Sequence, residues 1–187
     1  MKKILLIAAM AMVSSAAFAQ KFAHVNSQEV LQLMPQMDEV REKMETINKD
    51  NEEVLKSMYD EFQTKYQTYQ QKASTWTAAV RESKEKELSE IQTRVQETQQ
   101  SMQQEMQQIQ ANLTAPVMKA CQDAIDKIAK EGGYIYVFDA TSVVYVDPAQ
   151  SVDITPEVRK ALNIPEGRTL ESLQKELQAK ADAAAQQ

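Results

Sequence analysis

The most constraining feature of this sequence is a long stretch, residues 36–131, that contains no glycine and a single proline, Pro116. A globular fold of many short elements needs turn residues more often than this. Long helices do not, since glycine and proline both weaken a helix interior. The stretch therefore predicts that most of the chain forms long α-helices.

Apolar residues in this stretch recur at helical spacing in two stripes. The first alternates steps of three and four residues, as in a coiled coil, and takes two successive steps of four after Met58. Residues 74–77 are weak helix formers, so we expect the chain to turn there and to pair two helices of about 45 residues each. The first stripe is Met37, Val40, Met44, Ile47, Asn51, Val54, Met58, Phe62, Tyr66, Tyr69, Ala73 and Trp76, and the second is Leu88, Ile91, Val95, Thr98, Met102, Met106, Ile109, Leu113, Val117, Cys121, Ile125 and Ile128.

Short β-prone segments flank this predicted hairpin. Residues 22–26 read as a strand, after which Asn26 or Ser27 can cap a helix that kinks or restarts at Pro35. Residues 134–138 and 143–146 are rich in β-branched and aromatic side chains and predict two strands joined as a β-hairpin.

Helix boundary signals complete the prediction. Gly132 and Gly133 predict the end of the second long helix, and Thr155, followed by Pro156, predicts the N-cap of a short one. The fold class is therefore mainly α with a small β body. A long antiparallel coiled-coil hairpin at residues 28–131 is inserted between β-rich segments at 20–27 and 132–168, and residues 169–187 form a C-terminal helix and tail.

Residues 1–19 have the three parts of a secretory signal peptide: Lys2 and Lys3, an apolar run, and small residues that end at Ala19. The apolar run has about ten residues, whereas a helix needs about 20 to span a bilayer. We therefore expect cleavage after Ala19 and export from the cytoplasm. Loss of the two lysines changes the net charge from −6 to −8.

The composition argues against several functions. Nucleic-acid binding requires a basic surface, and this chain is acidic. The sequence has no glycine-rich phosphate loop and no Cys or His metal cluster, and its one histidine, His24, lies in a predicted strand. Cys121 falls on an apolar stripe and is expected to be a small buried hydrophobe. We predict no enzymatic activity, no metal and no cofactor.

Methionine and aromatic side chains are concentrated on the predicted hairpin. Methionine adapts to irregular spaces and to varied partners, and a pair of helices has little interior in which to bury aromatic rings. These residues can form a loose coiled-coil seam, a surface that faces a bound polypeptide, or both. The candidates for such a surface are Met44, Met58, Phe62, Tyr66, Tyr69, Trp76, Met102 and Met106.

Two segments, residues 21–34 and 134–158, resemble the Skp/OmpH family of periplasmic chaperones. The features that carry the resemblance are the first strand ending in Val25 and Asn26, the V-F-D-A turn at residues 137–140, and the D-I-T cap at 153–155. Their order around a coiled-coil insertion matches the family, although this chain is acidic where typical relatives are basic.

The resemblance implies a homotrimer, in which strands of three chains build a small body and three helical hairpins project from it like the tentacles of a jellyfish. It also implies an ATP-independent holdase in the periplasm that binds unfolded outer-membrane proteins and prevents their aggregation in transit. Transient contact with the membrane surface is a further expectation. The alternative is a non-chaperone periplasmic coiled coil with a structural or adaptor role.

Overall fold

The computed structural model describes residues 21–184 of the chain. The predicted signal peptide and the end of the predicted tail lie outside these residues. The described residues divide into two compact units: unit 1 comprises residues 21–34 and 120–184, and unit 2 comprises residues 35–119. The predicted boundaries of the hairpin, residues 28 and 131, and the role of the remaining residues as a trimerisation body stay predictions. Within residues 21–184, no helix combines the length and apolar character that crossing a bilayer requires.

The fold is mainly helical with one small sheet, as the sequence predicts. The long helices have 38 and 55 residues instead of about 45 each, because the first restarts after Met34 and the second spans the whole interval from Ala78 to its predicted end at Gly132. The elements in chain order are β1 (Lys21–Val25), α1 (Ser27–Leu33), α2 (Pro35–Lys72), a 3₁₀ turn (Ala73–Thr75), α3 (Ala78–Gly132), β2 (Tyr134–Asp139), β3 (Ser151–Asp153), α4 (Thr155–Ala161) and α5 (Leu170–Ala184).

Three of the predicted helix boundaries are set by the residues that predict them. The side chain of Asn26 accepts a hydrogen bond from the Glu29 N–H at 3.0 Å and so caps α1. Met34 is extended, since a proline disfavours the helical conformation of the residue before it, and the chain restarts as α2 at Pro35. At the end of α3, Gly133 has a φ of +67° and terminates the helix.

The sheet has the order β2-β1-β3, and both outer strands run parallel to β1. The predicted β-hairpin is therefore wrong, because β1 lies between β2 and β3 and the segment at 143–146 forms no strand. Its Val144 and Tyr145 are exposed, at 107% and 78%. A β-prone segment needs a neighbouring strand to pack against, and β1 is already paired on both edges.

The core of unit 1 lies between the sheet and the short helices. Its fully buried side chains include Val30 and Leu33 of α1, Ile154, and Val158 of α4. The predicted N-cap of α4 is wrong by one residue, since the helix begins at Thr155 itself. The Thr155 hydroxyl accepts a hydrogen bond from the Asn26 N–H at 3.0 Å, a tertiary contact that replaces the expected capping bond.

The C-terminal helix α5 packs against α1 in unit 1. Its first turn is closed by reciprocal hydrogen bonds, in which the N–H of Ser172 donates to the Thr169 hydroxyl at 3.1 Å and the N–H of Thr169 donates to the Ser172 hydroxyl at 2.9 Å. Leu173, one turn further on, is buried. The helix predicted after residue 169 is present as Leu170–Ala184.

Unit 2 is an antiparallel pair formed by α2 and the first part of α3. The turn lies at the 3₁₀ segment and the two residues after it, close to the predicted residues 74–77. Cross-helix contacts fix the pairing: Tyr69 bonds to Glu85 beside the turn, and the Tyr59 hydroxyl accepts from Gln99 further away. As the α2 residue number falls, the α3 residue number rises, which is antiparallel pairing.

The predicted seam is confirmed on α3, where every residue of the second stripe is buried or half-buried. On α2 the prediction is wrong at two positions. Val54 and Tyr66 are exposed at 47% and 44%, while Leu55 and Lys65 face the partner helix. Double steps of four therefore fall at Ile47, Asn51 and Leu55 and again at Lys65, Tyr69 and Ala73, instead of after Met58.

Candidate functional site

Several polar side chains of unit 1 form hydrogen bonds and an ion pair with one another. A cleft of about 1100 Å³ runs beside α1 and α4. The guanidinium of Arg159 donates to Glu29 Oε1 at 2.7 Å and to the backbone carbonyl of Arg168, which ties α4 to α1 and to the following loop. His24 Nδ1 lies 2.9 Å from the Ser151 hydroxyl. These contacts are structural.

Neither metal nor thiol chemistry is visible in the part of the chain that the structure describes. Within residues 21–184, no group of three His, Cys, Asp or Glu side chains is placed to hold a metal ion. Cys121 is buried, and this burial raises the pKa of its thiol, which disfavours the reactive thiolate.

The eight candidate residues from the sequence all lie in unit 2. Tyr66 is exposed, and its ring stacks on that of Phe62 at a centroid distance of 5.9 Å. Tyr69 meets Trp76 edge-on at 6.1 Å beside the turn. Apart from Tyr66, all the candidates are half-buried along the seam. Their role in facing a bound polypeptide stays a prediction. These half-buried residues are Met44, Met58, Phe62, Tyr69, Trp76, Met102 and Met106.

One charged residue, Lys65, lies in the seam itself. Its ammonium bonds to Glu87 across the helix pair, and this bond raises the pKa of Lys65. Hydrogen bonds from Lys65 and Lys84 lower the pKa of Glu87 to about 2. On the same flank, Arg94 donates to Glu61 at 2.6 Å. A polar seam residue with a cross-helix partner fixes the register of a coiled coil.

A row of glutamines follows the seam of α3. Every seam residue from Ile91 to Ile109 is followed directly by a glutamine, and all six glutamine side chains are exposed. Because each residue turns an α-helix by about 100°, they line one flank of the seam over about 27 Å. The row consists of Gln92, Gln96, Gln99, Gln103, Gln107 and Gln110.

Two tyrosines of α2 share the side of unit 2 that carries this row. Gln99 Nε2 donates to the Tyr59 hydroxyl at 2.9 Å, which joins the row to α2. Tyr59 and Tyr66 both follow seam residues and are 49% and 44% exposed. We name the six glutamines with Tyr59 and Tyr66 the amide–tyrosine face. The opposite flank carries the Arg94–Glu61 ion pair.

The sequence contains the signal for this face, which is the regular position of glutamine after each stripe residue from Ile91 to Ile109. The glutamines around residues 99–110 read most simply as solvated helix surface, because amphipathic patterning ranks positions by hydrophobicity alone. The pairing of α3 with α2, which hydrophobic patterning does not show, reveals which side chains share a side. It places exposed tyrosines and uncharged amides on one side of the helix pair.

In unit 1, one face of the sheet exposes an aromatic cluster. Phe22 of β1 pairs in register with Tyr136 of β2, and His24 pairs with Phe138. The three rings stack with centroids 6.0 to 6.4 Å apart, yet Tyr136 and Phe138 remain 61% and 44% exposed. Beside them, a groove of about 280 Å³ is lined in part by Tyr145.

Comparison with known proteins identifies relatives of this chain. The sequence model of a family described as outer membrane protein (OmpH-like) matches residues 21–162. The chaperone protein Skp of Pectobacterium atrosepticum is 32% identical over 164 residues, which cover 86% of this chain and 98% of that protein. The chaperone protein Skp of Yersinia enterocolitica is 31% identical over 147 residues, which cover 79% of this chain and 88% of that protein.

The fold also matches a solved structure. The crystal structure of an OmpH-like outer membrane chaperone from Caulobacter crescentus CB15 superposes with a TM-score of 0.68. The match covers 77% of this chain and 84% of that chain at 18% sequence identity. At this identity the likeness shows a shared fold.

Proposed function

The chain belongs to the Skp/OmpH family of chaperones, and on that premise we propose that it is an ATP-independent holdase for unfolded outer-membrane proteins. The observation that carries the proposal is the incomplete burial of the helix pair. Among the described residues of unit 2, the buried hydrophobic side chains are Val40, Ile91, Val95 and Val117. Most methionine and aromatic side chains of this unit therefore keep surface for a bound polypeptide.

Weak, adaptable contacts suit a holdase that works without ATP. A client held by many small contacts can leave without an energy source, because each contact breaks independently of the others. Methionine and tyrosine provide such contacts, since both present apolar surface to varied partners. Prevention of client aggregation follows by mass action, as binding lowers the concentration of free unfolded chain.

We further propose that a signal peptide, cleaved after Ala19, directs the chain to the periplasm. We also propose that the chain contacts the membrane surface transiently while it delivers its client. Its N-terminal sequence supports export, since it has the charged, apolar and small-residue regions of a signal peptide. N-terminal sequencing of the protein from a periplasmic extract tests this. We expect the mature chain to begin at Gln20.

We also propose a homotrimer built through unit 1. Both outer strands of the three-stranded sheet have an unpaired edge, and the aromatic cluster of Phe22, Tyr136 and Phe138 is open. The segment at 143–146 is β-prone and has no strand partner among residues 21–184. Strands from further copies would pair these edges and cover the rings.

The test of the holdase is light scattering while a urea-unfolded outer-membrane β-barrel protein is diluted into buffer, with and without the mature chain. We expect the chain to suppress scattering near three chains per client, the stoichiometry of the proposed trimer. Unchanged scattering with a folded chain would instead favour a structural or adaptor coiled coil. Bovine serum albumin at equal mass controls for nonspecific suppression.

A further inference from the structure

The amide–tyrosine face lies on a flank without net charge within an acidic, highly charged unit. Residues 35–119 contain 15 acidic and 11 basic side chains. The α2 side of this face also carries Glu52 and Lys56, one residue of each sign, which follow seam residues as Tyr59 and Tyr66 do. The opposite flank carries Glu61, Glu90, Arg94, Glu97 and Glu105 beside the seam. The two sides of the helix pair therefore present different chemistry to an approaching molecule.

Glutamine side chains match the hydrogen-bonding groups of a peptide backbone. Each side-chain amide offers two N–H donors and a carbonyl acceptor, the same groups that an unfolded chain exposes at every residue. A row of amides can therefore bond to any sequence, whereas charged side chains select partners of opposite charge. The exposed rings of Tyr59 and Tyr66 add apolar area with a polar tip.

We infer that the amide–tyrosine face is the surface of unit 2 on which an unfolded polypeptide is held, by side-chain amides and phenol rings instead of by charge. The inference rests on the proposed holdase function and specifies its contacts. The row's length of about 27 Å accommodates an extended segment of about eight residues at about 3.3 Å each. Elsewhere the acidic excess of the unit repels an acidic client, whereas on this flank the charge of Glu52 is balanced by that of Lys56.

The test compares two double variants by fluorescence anisotropy, with a labelled, urea-unfolded acidic outer-membrane β-barrel protein as the probe. The first, Gln92→Glu with Gln96→Glu, puts two negative charges on the face. We expect it to weaken binding by about tenfold, because each charge repels the acidic probe and removes an amide donor.

The second double variant, Gln100→Glu with Gln104→Glu, is the matched control. It makes the same substitutions at the same spacing in the same helix, and both positions are exposed. Each lies one residue beyond the row, rotated by about 100° further from the seam. We expect its binding to stay within about twofold of the unmodified chain. Equal helicity of the three proteins by circular dichroism establishes that the variants are folded.

The outcomes separate this inference from the proposed function. If the unmodified chain does not bind the probe, the holdase proposal is wrong and the inference with it. If the unmodified chain and both variants bind equally well, the holdase stands and the assignment of the face is overturned. The assignment is also overturned if the first variant loses binding of a neutral oligosaccharide, such as a chitin fragment, but keeps polypeptide binding.

Salt dependence of the unmodified chain provides a measurement that needs no variant. Between about 0.1 M and about 1 M salt, the Debye length falls from about 10 Å to about 3 Å. Binding by neutral amides and rings should fall by less than about twofold over this range, because added salt screens only the repulsion between the two acidic chains. A loss of tenfold or more would show that charge holds the client and would overturn the inference.

Discussion

Gly133 is the residue at which a single backbone angle decides the junction of helix and strand. Its φ of +67° lies in the left-handed region, which ends α3 and starts β2 in the next residue. Its neighbour Gly132 is constrained differently, since a Cβ there would lie 2.2 Å from the ring of Tyr134. The sequence predicts the helix end from this glycine pair, but the separate reasons for each glycine come from the structure.

We predict that Gly133→Ala lowers the free energy of unfolding by about 1 kcal/mol, because an L-residue is strained at this angle. Among the described residues, and apart from its two chain neighbours, no atom lies within 4 Å of a Cβ at Gly133, so the effect isolates the backbone conformation. Gly167→Ala is the matched control, since Gly167 has the same open space without a positive φ. Urea denaturation of both variants measures the difference, and equal stability would contradict the prediction.

Among the elements, the seam of α3 could be predicted fully and that of α2 only in part. The apolar stripe of α3 is the seam, because hydrophobicity and burial coincide along it. On α2, Lys65 takes a seam position that the sequence assigns to Tyr66. The ammonium is tolerated there because Glu87 of α3 binds it, and a cross-helix partner is not visible in a local pattern. The exposure of the eight candidate residues could not be predicted for the same reason, because how far each is buried depends on the partner helix.

The strand β3 shows a different limit of the sequence. Ser151–Asp153 is short and has one apolar residue, whereas the β-prone segment before it forms no strand. Long-range contacts decide the outcome. Ala23 pairs with Val152, and the N–H of Ile154 donates to the His24 carbonyl at 3.0 Å. Residues so distant in sequence leave no local signal of their pairing.

The Lys65–Glu87 bond makes the stability of the helix pair depend on pH. The pKa of Glu87 falls from 4.5 to about 2, so its ionised form stabilises the fold above pH 4.5. That stabilisation is lost as the pH falls from about 4.5 toward about 2. We predict that Glu87→Gln reduces the drop in urea midpoint between about pH 6 and about pH 3.

Glu97→Gln serves as the control, because Glu97 is exposed on the same helix and the substitution makes the same change in charge. It should keep the pH dependence of the unmodified chain. The same pH dependence in both variants would show that the Lys65–Glu87 bond contributes nothing measurable to the fold.

For the whole molecule, the proposed assembly couples folding to concentration. The sheet of unit 1 exposes Tyr136 and Phe138 in a single chain, and a second and third copy would bury them. Association that favours only the folded state stabilises it by mass action. We predict that the urea midpoint rises with chain concentration and that the native mass equals three chains.

The double variant Tyr136→Ser with Phe138→Ser should abolish the dependence of the urea midpoint on chain concentration, while α2 and α3 keep their helicity. Sedimentation equilibrium and far-ultraviolet circular dichroism measure the two effects. A midpoint that does not change over about a hundredfold range of concentration would show that one chain folds by itself.

The central position of β1 in the sheet has a consequence for the order in which the chain folds. His24 bonds to Ser151 across 127 residues of sequence, whereas the contacts of the helix pair join residues 16, 22, 33 and 40 apart, counted outward from its turn. Near contacts close faster than distant ones. During folding the helix pair can therefore form outward from its turn, whereas β1 meets its two neighbours only when residues 134–139 and 151–153 reach it.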